Sequence, residues 1–144
     1  AKNGSYTITE EMKEAMKDFA GGYATEAQTA QEIRTVYEKS GYVLDPHTAV
    51  ASCVYHTWKE QNHPTAPAVI ASTASPFKFA RSVMSAIDSK YEGMEDFSLI
   101  DELCRISGVK VPKAVEDIRT APVLHDKVIE TNEMRQAVKE FLGM

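Results

Sequence analysis

Positive charge is scarce in this chain: 16 lysines and arginines stand against 21 aspartates and glutamates, for a formal net charge of −5. That balance gives no electrostatic footprint for nucleic acid or an anionic membrane, and neither is expected as a partner. Long apolar runs are missing too, and none approaches the roughly 20 residues that cross a bilayer. Cysteine is limited to Cys53 and Cys104, far apart and each within an apolar helical pattern. They read as reduced core thiols of a cytoplasmic protein, although two cysteines leave a disulfide open. His56 and His63 flank Trp58 without metal-ligand spacing and His125 is isolated, so no metal site is expected. No P-loop or glycine-rich dinucleotide fingerprint is present.

What remains is an ordinary soluble composition, 43% hydrophobic and 26% charged over 144 residues, enough for a single module spanning 1–144 with a proper core. The chain begins Ala1-Lys2-Asn3-Gly4, which reads as a cut within a longer polypeptide, a processed terminus or an artificial junction. Ser5-Tyr6-Thr7-Ile8 alternates like a short strand, and Thr7 with Glu10 has capping-box spacing for a helix burying Met12, Met16 and Phe19, ended by Gly21-Gly22. Thr25 and Gln28 repeat the capping box before a second helix, with Ile33, Val36 and Tyr37 inward and Gly41 as its stop. Asp45 then reads as an N-cap and Pro46 as the first residue of a third helix. Its small apolar surface (Ala49, Val50, Ala51, Cys53, Val54) suits packing on a sheet.

Ala68-Val69-Ile70-Ala71 reads as a buried strand running into the hydroxyl-rich turn Ser72-Thr73-Ala74-Ser75, where Ser75 caps a helix opening at Pro76. Phe77, Ala80, Met84 and Ile87 mark the apolar face of that helix, and Phe97, Ile100, Leu103 and Cys104 that of another, stopped by Gly108. Pro112 opens a short helical piece through Ile118, residues 124–130 are ambiguous between strand and loop, and a last helix from about Asn132 buries Met134, Val138 and Phe141. The expected class is α/β and helix-rich. A lone buried strand cannot satisfy its own backbone groups, which points to a piece of a larger α/β domain or to a small sheet of short strands.

Ligands of α/β folds gather at the carboxyl ends of strands, so Ser72 and Thr73 are placed for chemistry. Side-chain hydroxyls there can meet a ring nitrogen; equally, they can simply bond the local backbone of a strand–helix connection. His47 and Thr48 fall in the first turn of the third helix, where unpaired amides and the helix dipole favour an anion. Cys53 in its apolar setting reads as an inert thiol. Glu10-Glu11 and Asp101-Glu102 read as solvated faces rather than acid/base pairs.

Two segments, GYVLDPHTAVA at 41–51 and STASPFKF at 72–79, occur in an order and spacing that resembles the threonine synthase family, in particular its C-terminal part. Members commonly carry Asp-Pro-His-Thr-Ala-Val and then Ser-Thr-Ala-His-Pro-x-Lys-Phe. The resemblance implies a tryptophan-synthase-β-like (fold type II) pyridoxal-phosphate enzyme with a small, mostly parallel sheet. The family converts O-phosphohomoserine and water into L-threonine and phosphate. By position Thr73, with Ser72 as fallback, matches the hydroxyl that meets the pyridine nitrogen of pyridoxal phosphate. His47, Thr48, Ser75 and Lys78 are the candidates for contact with the amino-acid phosphate substrate. Ser75 stands where many members have histidine, and a serine cannot titrate near neutral pH. The cofactor-binding lysine and the loop holding the cofactor phosphate belong to an upstream motif absent from this sequence, and Lys78 is not that lysine. The sequence is therefore expected to supply no catalytic residue by itself, to be inactive alone, and to self-associate through surfaces facing absent polypeptide. Two alternatives are a non-catalytic helical interaction module and a piece of another pyridoxal-phosphate lyase.

Overall fold

The computed structural model describes residues 4–144, so the opening Ala1-Lys2-Asn3, read above as a cut, lies outside the described residues. Seven α-helices follow one another: α1 (Glu10–Ala15), α2 (Glu26–Ser40), α3 (Pro46–Asn62), α4 (Ala80–Ile87), α5 (Asp96–Ser107), α6 (Lys113–Arg119) and α7 (Met134–Phe141). Short 3-10 turns at Pro76–Phe79, Ser89–Tyr91 and Thr131–Glu133 lead into or link them.

The helix limits follow local chemistry. Both halves of the Thr25/Gln28 capping box form, with the Gln28 amide 3.3 Å from Thr25 Oγ1 and the Thr25 amide 2.8 Å from Gln28 Oε1. Gly41 closes α2 at φ +72° and Gly108 closes α5 at φ +68°, the left-handed backbone that glycine adopts without a Cβ penalty. The first helix is capped by Thr9 rather than Thr7, and it stops at Ala15, before the glycine pair.

α2 packs on both α3 and α4, and α4 packs on α5. Between them lies the core: Ile33 from α2, Val43 and Leu44 ahead of α3, Ala49 in it, Phe77, Val83 and Met84 around α4, and Leu99, Ile100 and Leu103 from α5. Polar ties cross the same seams. Ser52 Oγ donates to Glu32 at 2.6 Å between α3 and α2, Arg34 Nε donates to the Ala86 carbonyl at 2.8 Å, and Tyr91 donates to Glu102 at 3.0 Å. Cys53 and Cys104 are unpaired and half-buried. No helix is long and apolar enough to cross a membrane among the described residues.

The expected parallel sheet is absent: no strand occurs among the described residues, and the architecture is all-helical. Residues 5–8 are irregular, and the anticipated buried strand at 68–71 is an irregular surface segment with Val69 95% exposed. The physical reason is a shortage of neighbours. An extended backbone is stable as a buried strand only when adjacent strands take its amides and carbonyls, and nothing described here offers them. Two helix faces expected to be buried are likewise turned outward, Met12, Met16 and Phe19 near α1, and Met134, Val138 and Phe141 on α7.

Candidate functional site

The two sequence motifs meet at the start of α3. Asp45, 1% exposed, caps that helix with a division of labour between its two oxygens. Oδ1 accepts from the backbone amides of His47 (2.9 Å) and Thr48 (3.2 Å). Oδ2 accepts from the Thr48 hydroxyl at 2.5 Å and from the Ser72 hydroxyl at 3.2 Å, and Ser72 Oγ is itself 3.0 Å from Thr48 Oγ1. Each carboxylate oxygen thus takes two donors, which fills its acceptor capacity. Burial alone would push the Asp45 carboxyl upward, but the bonds from Thr48, His47 and Ser72 outweigh it and hold the group below its ordinary value of 3.8.

His47 points the other way, with its ring exposed and Nδ1 3.5 Å from Asp45 Oδ1. Its ring lies 5.0 Å from that of Phe79 at a 47° tilt, and Lys78 Nζ sits 5.7 Å from the centre of the same Phe79 ring. Phe79 therefore has two nitrogen-bearing side chains from separate motifs beside its ring. Ser75 is half-buried and caps the 3-10 turn, accepting from the Phe77 amide at 3.4 Å.

The six residues singled out in the sequence thus divide by environment. Thr48, Ser72 and Ser75 have hydroxyls bound within the fold, whereas Thr73, His47 and Lys78 face outward. The amides expected to hold an anion at the start of α3 are already used: those of His47 and Thr48 go to Asp45 Oδ1, that of Ala49 goes to the Asp45 carbonyl, and Pro46 has none. Any anion here is met by side chains. The sequence reading gave Asp45 a helix-capping part only and gave Phe79 none. The capping signal was local, but the bonds to Ser72 and the ring contact with Phe79 depend on tertiary approach that spacing does not encode.

Beside His47, a cleft of about 940 Å³ opens between α3 and the loop before α2, lined by Gly22, Tyr23, Gln28, Val54, Tyr55 and Trp58 among others. Gly22 lies against α3 closely enough that an added Cβ would meet Val54 Cγ1 at 2.7 Å. The Cys53 thiol is raised by burial and by the negative charge of Glu32, in keeping with an unreactive group. No cluster of three metal-ligating side chains occurs among the described residues.

Comparison with known proteins gives one consistent result. The family model described as "Threonine synthase, C-terminal" matches residues 48–141. Threonine synthase of Saccharomyces cerevisiae is 34% identical over 116 residues, covering 75% of this chain and 22% of that protein. Threonine synthase-like 1 of Homo sapiens is 37% identical over 79 residues, 55% of this chain and 10% of that protein. Threonine synthase of Corynebacterium glutamicum is 32% identical over 82 residues, covering 57% and 17% respectively. The chain thus spans between 10% and 22% of the length of these relatives.

Proposed function

This chain belongs to the threonine synthase family, and on that premise we propose that it forms one wall of the active site of a pyridoxal-phosphate lyase making L-threonine and phosphate from O-phosphohomoserine and water. The observation that carries the reading is the convergence of the two family-like motifs on one surface, with Ser72 bonded to Asp45 and the His47 ring tilted against that of Phe79.

The residues present fit part of such a pocket. Asp45 is the one buried carboxylate among the described residues, and both its oxygens are filled. Hydroxyl is then what the 72–73 segment has to offer a ring nitrogen. Thr73, exposed at its end, is the residue that would meet that nitrogen. A neutral hydroxyl leaves such a nitrogen largely unprotonated, whereas a carboxylate would keep a proton on it. When bound, the cofactor supplies an electron sink for carbanions formed on the amino acid. His47 and Lys78 are suited to the substrate's anionic end, since both present nitrogen donors outward beside Phe79. Thr48 and Ser75 shape that surface through their internal bonds. The sequence contains no counterpart of the family's cofactor-binding lysine, so the 144-residue chain alone is proposed to be inactive. The exposure of Thr73 fits a wall that other polypeptide completes, since closing such a pocket excludes bulk water.

The test is to express the protein from its complete reading frame and measure pyridoxal-phosphate absorbance and phosphate release from O-phosphohomoserine. Cofactor absorbance and threonine formation are expected; a cofactor-free protein overturns the proposal, and turnover of phosphoserine or threonine instead would mark a different lyase. Self-association of the isolated 144-residue chain is also proposed, through apolar groups as exposed as Val69 (95%) and Phe141 (80%). A concentration-independent monomer in light scattering overturns that part.

A further inference from the structure

We propose that Asp45 is a positioning residue, acting through Ser72 to latch the segment that carries Thr73 onto the start of α3. The starting point is what holds that segment. Among the described residues, the hydrogen bonds that tie 64–74 to the rest of the fold all pass through Ser72 Oγ, to Asp45 Oδ2 and Thr48 Oγ1. Ser72 Oγ also lies 3.4 Å from the Ala74 carbonyl, a contact that stays inside the segment. Its apolar side chains add little, since every residue from 65 to 73 is exposed. One hydroxyl therefore supplies the side-chain tie between residue 73's segment and the start of α3, ahead of the half-buried residues 74–76 and the buried Phe77.

The identity of the residue at 45 fits this use. Capping α3 needs a single acceptor, and serine or asparagine caps about as well as aspartate. Here one carboxylate oxygen does all the capping, with both amides on Oδ1. The second oxygen is occupied wholly by hydroxyls, Thr48 from the first turn and Ser72 from 27 residues further along the chain. The Thr48 hydroxyl donates to Oδ2 at 2.5 Å. Ser72 donates its own proton to Oδ2 at 3.2 Å, with its oxygen 3.0 Å from Thr48 Oγ1. Ser72 is consequently a tether, and Thr73 is the neighbouring hydroxyl left to face outward. The latch stands on hydrogen-bond geometry; only its consequence for cofactor contact rests on the proposed function.

Asp45→Ser separates the two jobs, because a serine keeps the cap but offers one short-armed oxygen. Backbone ¹⁵N order parameters of residues 68–74 in the 144-residue chain are the direct readout. They are expected to be near 0.8 in the native chain and to fall below about 0.6 in Asp45→Ser and Ser72→Ala, with Ser72→Thr restoring order and Thr73→Ala leaving it intact. Far-UV dichroism should be unchanged in all four, since none removes a helix cap. Native-like order in both Asp45→Ser and Ser72→Ala overturns the latch. In the protein from the complete reading frame, the cofactor absorption band should shift in Thr73→Ala, Ser72→Ala and Asp45→Ser. A loosened segment with an unmoved band in all three variants would leave the latch standing and refute the assignment of Thr73.

Discussion

Replacing Asp45 by alanine withdraws four acceptor positions at once, and the structure allows the cost to be divided. The two amides on Oδ1 are the cap, which is worth about 1 kcal/mol in typical helices. The two hydroxyls on Oδ2 make bonds to a buried charge, about 1.5 kcal/mol or more each. Thr48 and Ser72 are 3.0 Å apart and can satisfy each other once the carboxylate has gone, which returns roughly one of those bonds. The expected loss is then about 2.5 kcal/mol. Asparagine keeps the cap and a partner for the hydroxyls but loses the charge, so Asp45→Asn should lose about 1 kcal/mol. Urea denaturation at neutral pH reads both. With a slope of about 2 kcal/mol per molar urea, the midpoint falls by roughly 1.2 M for alanine and by about 0.5 M for asparagine. If Asp45→Ala costs less than about 1 kcal/mol, or if the two variants are equal, the carboxylate is only a cap and the reasoning fails.

Acidification probes the same group: because Asp45 is held below 3.8 in the fold, its contribution is present above that value and is lost as pH falls through the lower folded one. The stability gap between the native chain and Asp45→Asn, constant above about pH 5, should therefore close in acid, and a gap that persists refutes the assignment. Met84 is fully buried, and Met84→Ala should cost about 3 kcal/mol in the same urea assay, whereas Phe141→Ala, 80% exposed, should change it by less than about 0.5 kcal/mol. Gly41→Ala has open space around its new methyl group but sits at φ +72°, so a loss of about 1 kcal/mol would come from backbone strain alone. Cys53 should react more slowly than an ordinary thiol with an alkylating reagent, and Glu32→Gln should quicken it by removing one of the two influences that raise it.

The parts of this fold that could be read from sequence are those decided within about four residues. The caps at Thr25, Asp45 and Ser75 and the glycine stops at Gly41 and Gly108 depend on a side chain or a missing Cβ meeting a nearby amide, and each appears where expected. Even there, competition between adjacent signals could mislead: Thr7 and Thr9 are both followed by helix-forming residues, and the chain uses Thr9. Core faces were legible where period and tertiary packing agree, as for Ile33, Met84, Ile100 and Leu103.

Failure came where a pattern identifies an apolar face without identifying what covers it. Val69 and Ile70 have the composition of a buried strand, and Val138 and Phe141 that of a buried helix stripe, yet both pairs face solvent. Period and propensity describe a segment's own surface; burial is a property of two surfaces. The Asp45–Ser72 bond illustrates the converse. Both residues were recognisable, one as a cap and one as a turn hydroxyl, but their meeting depends on the path of the chain over the 24 positions that separate Ser72 from Thr48. A carboxylate whose local task needs one oxygen has a second to give to a distant partner. That surplus is visible in sequence wherever aspartate caps a helix, and only the fold decides which hydroxyl claims it.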